Sequence, residues 1–253
     1  MDPYIGITGF TGPEEVSQAL RVFPINTKRK LMVGVLATYK SIRGIPMKPK
    51  WAKQTPKPKE IKNIFLADSH ALNLVHLSTE EGREDTLLAD MFRIHDLVGE
   101  KLHGFQINVA WPQVNQLYKY RIAKGWDYQL VLQIGQKAVE AVGGTPEGVV
   151  NAVELYAHNI NAVLLDPSGG QGKPFDPKRA REFLTALSQR DWDHLSLGVA
   201  GGLGADSLDL VEPLVADFPN LNIDAQGRLR NEDNELDPIL TETYLKKALQ
   251  LFK

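Results

Sequence analysis

Eight short apolar runs alternate with amphipathic stretches along this 253-residue chain. The runs are Tyr4 to Thr8, Leu31 to Tyr39, Leu74 to Ser78, Phe105 to Ala110, Tyr128 to Ile134, Ala162 to Asp166, Leu195 to Ala200 and Leu221 to Asp224. Several are apolar at successive positions. That is the pattern of strands buried on both faces, as in a parallel sheet covered by helices.

Helix signals fall between most of the runs. Thr11-Gly12-Pro13-Glu14 reads as a capping box opening a helix over 13–22. Thr145-Pro146 places an N-cap before a proline at the first helical position and predicts a helix to His158. Asp176-Pro177 opens another, with Phe183, Leu184 and Leu187 on one face. A further helix is expected from Ala205-Asp206-Ser207 to about Phe218-Pro219, and a longer one within Glu80 to Glu100. Asp237-Pro238 opens the last, with Ile239, Leu240, Leu245, Leu249 and Phe252 expected to face inward. Eight strand–helix repeats in a chain of this length predict a single α/β domain, a (β/α)8 TIM barrel. A doubly wound open sheet shows the same local alternation and is the rival architecture.

One segment breaks the pattern. Residues 40–60 hold Pro46, Pro49, Pro56 and Pro58, and no regular secondary structure is expected there. They also carry seven basic residues against Glu60 alone, a local charge of +6 in a chain whose total is −2. In a barrel this loop follows the second strand and emerges at the C-terminal face, where active sites sit. It reads either as a solvated loop or as a basic lid over an anionic substrate. Only Trp51 offers an aromatic ring for base stacking, so nucleic acid is not the expected partner. The near-neutral total likewise argues against a surface built to coat a polyanion.

The chain has no cysteine, which excludes disulfides, zinc–thiolate sites, iron–sulfur clusters and thiol catalysis. It starts without a basic, apolar leader and contains no run near the ~20 apolar residues of a membrane helix. A cytoplasmic location without membrane contact is expected, and the oligomeric state is not legible.

Two glycine-rich stretches follow strands. Asp166 ends the sixth run and leads into Pro167-Ser168-Gly169-Gly170-Gln171-Gly172. Gly201, Gly202 and Gly204 follow the seventh, and Gly227-Arg228 follows the eighth. Glycines let backbone approach a ligand and present N–H groups to oxyanions. Barrels frequently bind phosphate at the loops after strands seven and eight. Tight turns alone would also explain these glycines.

The stretches GITGFTGPEEV (6–16), LLDPSGGQGKPFDP (164–177), VAGGL (199–203) and NIDAQG (222–227) together resemble the phosphoribosylanthranilate isomerases of tryptophan biosynthesis. Order and spacing match at both ends of the chain, while residues 45–155 show little similarity. The resemblance implies a phosphate-binding barrel and an Amadori rearrangement of a phosphorylated aminoaldose, with no organic cofactor. Asp166, Asp224 and His76 could face one another, but no metal-ligand spacing appears along the sequence and no metal is expected. The resemblance places the family's general acid on Asp166 and its general base, a cysteine, on Thr8. It makes Arg43, in Ser41-Ile42-Arg43, a candidate for a substrate carboxylate. Gly201, Gly202 and Gly227 sit where a barrel's phosphate site would be, and Gly170 and Arg228 are further candidates for substrate binding.

This sequence departs from that pattern where the chemistry lies. A threonine hydroxyl is far too weak an acid to rest as a base near neutrality. The first-strand lysine of the family is Gly6, and the eighth-strand motif is one residue short. Side chains at strand C-terminal ends converge on a barrel mouth. His76, Asn108, Gln133, Asp166 and Asp224 are therefore the residues expected there, with Asp224 or His76 as the second acid–base group. The functional expectation is a phosphosugar isomerase with an altered base. The alternative is a catalytically silent barrel that binds a phosphorylated metabolite.

Overall fold

The computed structural model describes residues 1–166, 174–192 and 194–253. Eight parallel strands close into one barrel in chain order: β1 Tyr4–Thr8, β2 Lys30–Thr38, β3 Ala71–Ser78, β4 Gly104–Asn108, β5 Gln129–Gly135, β6 Ala162–Asp166, β7 Ser196–Ala200 and β8 Asn222–Ala225. Closure is made by β8 against β1, with Gly6 opposite Asp224. The open-sheet alternative is thereby removed, since every strand has two hydrogen-bonded neighbours.

The helices are α1 Pro13–Leu20, α2 Tyr39–Arg43, α3 Pro49–Gln54, α4 Ile61–Ile64, α5 Leu87–Val98, α6 Val114–Lys124, α7 Gln136–Ala141, α8 Pro146–Glu154, α9 Pro177–Ser188, α10 Glu212–Val215 and α11 Pro238–Leu251. The caps of α8, α9 and α11 follow the sequence: Thr145, Asp176 and Asp237 each accept from first-turn N–H groups. At α1 the box sits one residue later than expected. Gly12 is the N-cap, and Glu15 accepts from the N–H groups of Thr11 and Gly12.

Four expectations are corrected. Residues 40–60 are largely ordered into short helices, because Pro49 and Pro58 occupy first-turn positions where no N–H donor is needed. The stretch 205–219 holds only a 3-10 turn at Leu208–Leu210 and the four-residue α10. The helix from Thr145 ends at Glu154, short of His158. Ile239 is 75% exposed and Leu240 39%, since the first turn of α11 lies beyond its packed face; Tyr244, Leu245 and Ala248 are the buried residues.

Alternate strand residues divide two cores. Outward side chains such as Ile5, Val33, Val75, Phe105 and Val163 pack against the helices. Inward ones, Tyr4, Met32, Leu74, Val131 and Leu164 among them, fill the barrel. Each such side chain contributes about 1.5–3 kcal/mol on burial. The apolar filling stops one layer below the C-terminal end. Above it the inward polar residues are Thr8, His76, Gln106, Gln133 and Asp224, all buried, with Leu36 and Ala200 in register beside His76 and Asp224.

Candidate active site

The polar layer exists because of what the neighbouring strands lack. A Cβ on Gly34 would lie 2.6 Å from the Thr8 hydroxyl, and one on Gly6 would lie 2.9 Å from Oδ1 of Asp224. Glycine at both positions leaves room for the threonine and the carboxylate to meet. Thr8 Oγ1 donates to Asp224 Oδ2 at 2.8 Å.

From there a chain of hydrogen bonds crosses the mouth. Gln106 Nε2 donates to Asp224 Oδ2 at 3.1 Å and to Gln133 Oε1 at 3.0 Å. Gln133 Nε2 donates to Asp166 Oδ2 at 2.9 Å. Two carboxylates from β6 and β8 are thus joined through two amides from β4 and β5. Asp166 is half-buried at the mouth, and Asp224 lies deeper. Burial pushes the Asp224 carboxyl up to about 7, opposed by the bonds from Gln106 and Thr8 and reinforced by the charge of Asp166. A carboxyl with that value exchanges its proton near neutrality, as acid–base chemistry requires.

His76 behaves differently. It is buried, its Nδ1 finds no hydrogen-bond partner among the described residues, and burial alone pushes it down to about 4. It is therefore neutral at ordinary pH and stands outside the hydrogen-bonded chain. Asn108 ends β4 with its side chain exposed at the rim.

The expected anion-binding residues are distributed more widely. Arg43 faces α5: its guanidinium pairs with Asp90 at 2.9 Å and lies over the Tyr39 ring. Arg228 pairs with Asp206 at 2.6 Å, pinning the loop after β8 to the loop after β7. Gly201 and Gly202 have φ of +90° and +68°, which alone accounts for glycine there. The Ser207 hydroxyl donates to Gly202 O and accepts from Gly204 N–H, which closes that turn. Gly227 is exposed, and a Cβ there would meet nothing. Gly170 and the rest of 167–173 lie outside the described residues.

Sequence reasoning missed two residues. Gln106 was hidden behind Asn108, two positions on and on the same face of the strand. Polar residues at both positions, flanked by Phe105 and Ile107, are the signal that marks it. Arg230 donates Nη2 to the carbonyls of Thr8 and Gly9 at 3.0 and 2.8 Å, fastening the loop after β8 to the end of β1. No sequence pattern announces that contact.

The loop after β2 reaches the same side. Gln226 Nε2 donates to Gln54 Oε1 at 3.0 Å, and Lys53 Nζ donates to the Asp233 carbonyl at 2.9 Å. Among the described residues no group of three or more His, Asp or Glu side chains is placed to hold a metal, and no helix is long and apolar enough to cross a membrane.

Neither the protein-family models nor the curated proteins gave a match. Solved structures did. Phosphoribosylanthranilate isomerase from Thermotoga maritima superposes with a TM-score of 0.65 at 17% identity, over 99% of this chain and all of that one. The Thermus thermophilus enzyme gives 0.64 at 14%, covering 98% and 99%. A third structure of such an isomerase, in complex with reduced 1-(o-carboxyphenylamino)-1-deoxyribulose 5-phosphate, gives 0.64 at 15%, covering 99% and 100%. At these identities the likeness establishes the fold.

Proposed function

We propose that this barrel is a phosphosugar isomerase that carries out an Amadori-type aldose–ketose rearrangement, with Asp166 and Asp224 as its two acid–base groups. The observation that carries the reading is the hydrogen-bonded chain joining these carboxylates at the C-terminal end of the strands. The sequence resemblance, and the ligand held by a structural neighbour, support a substrate of the class of phosphorylated N-substituted aminoaldoses.

In this reading Asp166, the more open carboxyl and the one on which the resemblance places the general acid, takes up a proton from solvent as substrate binds and gives it to the ring oxygen of the sugar. The C–O bond breaks and the nitrogen lone pair forms an iminium. The second carboxylate takes the proton from the adjacent carbon, and the C–H electrons neutralise the iminium as an enolamine. Ketonisation moves a proton from the enol oxygen to solvent and one from solvent to the carbon bonded to nitrogen, and the two carboxyl groups return to their starting protonation by exchange with solvent. Thr8 is then no base but a hydroxyl that donates to the carboxylate replacing one. The glycine-bearing loops after β7 and β8 are the proposed phosphate site.

A silent, metabolite-binding barrel is favoured by one set of contacts. Arg43 and Arg228 are both committed to carboxylates of the chain itself, which leaves less charge for a substrate. Turnover of phosphoribosylanthranilate, followed by the loss of its fluorescence, decides between the two. The isomerase reading expects turnover that falls by about 10²–10⁴ in Asp166→Asn. Binding without turnover in folded protein sinks it for this substrate and supports the silent barrel.

A further inference from the structure

We propose that Gln106 is a positioning residue whose amide ties Asp224 to the Gln133–Asp166 pair and holds the buried carboxylate of Asp224 in its anionic form. The inference rests on Asp224 being the second acid–base group and assigns the device that makes it usable.

The geometry fixes which way the amide points. Both hydrogens of Nε2 are spent, one on Asp224 Oδ2 and one on Gln133 Oε1. Turned over, the amide would set its oxygen against those same two oxygens, and three acceptors would face one another. In the observed orientation the cost falls on Oε1 of Gln106, which is buried without a partner among the described residues. A side chain that leaves its own acceptor unsatisfied in order to donate twice serves the groups it donates to.

The groups facing Asp224 give that donation its purpose. Asp166 on β6 opposes a second negative charge. Tyr4 on β1 and Tyr244 on α11 are both buried and neutral, and the Asp224 charge helps to keep them so. His76 on β3 is neutral. Oδ1 of Asp224 has no partner among the described residues. No cation is prominent among these neighbours. Stabilisation of the anion comes from Thr8 Oγ1 and Gln106 Nε2 at Oδ2 and from the backbone at Ala225. The threonine hydroxyl can turn from donor to acceptor when Asp224 is protonated, whereas the amide N–H can only donate. Gln106 is therefore the side chain that distinguishes the two protonation states.

The test titrates Asp224 directly and needs no turnover. Protein carrying carboxyl-¹³C aspartate is followed by NMR from pH 4 to 10, and the Asp224 signal is assigned by its loss in Asp224→Asn. The expected wild-type midpoint is near neutrality. Gln106→Met, close in shape but without donors, should raise it by about one pH unit, a tenfold gain in proton affinity. An unchanged or lower midpoint overturns the proposal. Should Gln106→Met fail to fold, Gln133→Met decides, because it removes one of the two anchors of the Gln106 amide. A smaller upward shift supports the proposal, and none overturns it. Where turnover is present, the acidic limb of kcat should move with the midpoint while KM stays within twofold. A shifted midpoint without wild-type turnover keeps the role of Gln106 and rejects the isomerase. Turnover with an unmoved midpoint does the reverse.

Discussion

The lower and upper halves of the barrel interior solve one packing problem in two ways. Below, Met32, Leu74, Val131 and Leu164 interlock as apolar side chains, and any of them is replaceable in principle by another of similar volume. Above, Thr8, Asp224, Gln106 and Gln133 fill comparable space with groups that each need a partner. The lower half gains stability from the volume it removes from water. The upper half gives up stability to keep a carboxylate where water scarcely reaches. The candidate site thus lies one strand layer above the apolar filling, with Gly6 and Gly34 making room for Asp224 and Thr8.

Four experiments sharpen or break that contrast. The largest effect on stability is expected from Leu164→Ala in the lower half. Denaturant unfolding should show a loss of about 2–5 kcal/mol from the cavity it leaves. A loss below 1 kcal/mol would mean the lower half is loosely filled and the contrast is false.

Next comes the cost of the upper half, read as a pH dependence. The Asp224 carboxyl titrates near 7 when folded against 3.8 when free, so the folded state holds the extra proton between those values. Stability therefore falls as pH rises from about 4 to 7 and levels off above, by up to about 4 kcal/mol. Asp224→Asn should remove this slope and be the more stable protein at pH 8. Parallel slopes in the two proteins would show that the carboxylate carries no such cost.

Arg43 offers an intermediate case. Its partner Asp90 is 3% exposed at the side chain and keeps a second bond from Thr86. Arg43→Met should cost about 1–3 kcal/mol in a thermal melt, the range for a charge-assisted bond. KM should stay nearly unchanged if the pair is structural. A tenfold rise in KM with normal stability would return Arg43 to the substrate.

The smallest effect belongs to the exposed basic rim. Removing Lys48 and Lys50 together should leave stability within about 0.5 kcal/mol. Any rise in KM for a phosphorylated substrate should vanish at high salt, since screening is strong there. A salt-resistant effect would place these lysines inside the site.

The same contrast explains what was legible in the sequence. Parallel strands buried on both faces write themselves as unbroken apolar runs, so β1 and β6 were found to the residue. Asp166, Asp224 and Gln133 were placed at the mouth because strand-end positions must converge in a barrel, and Thr8 because the family resemblance aligns it with a catalytic position. Gln106 escaped because attention to the last residue of a strand overlooks the one two positions earlier. His76 was placed correctly at the mouth layer, but its neutrality depends on burial that no local pattern encodes. The prolines of 40–60 misled for a different reason. Proline forbids the interior of a helix but suits its first turn, and the sequence does not mark which of the two it occupies.

The bond between Gln226 and Gln54 joins residues 172 positions apart. Its partner contact, Lys53 to Asp233, spans 180. Neither can form until both the second and the eighth strand loops are in place. These fastenings are thus among the last to be made as the chain assembles, and a fragment lacking the final quarter cannot make them at all. These two contacts at the end of α3 are made only in the complete ring.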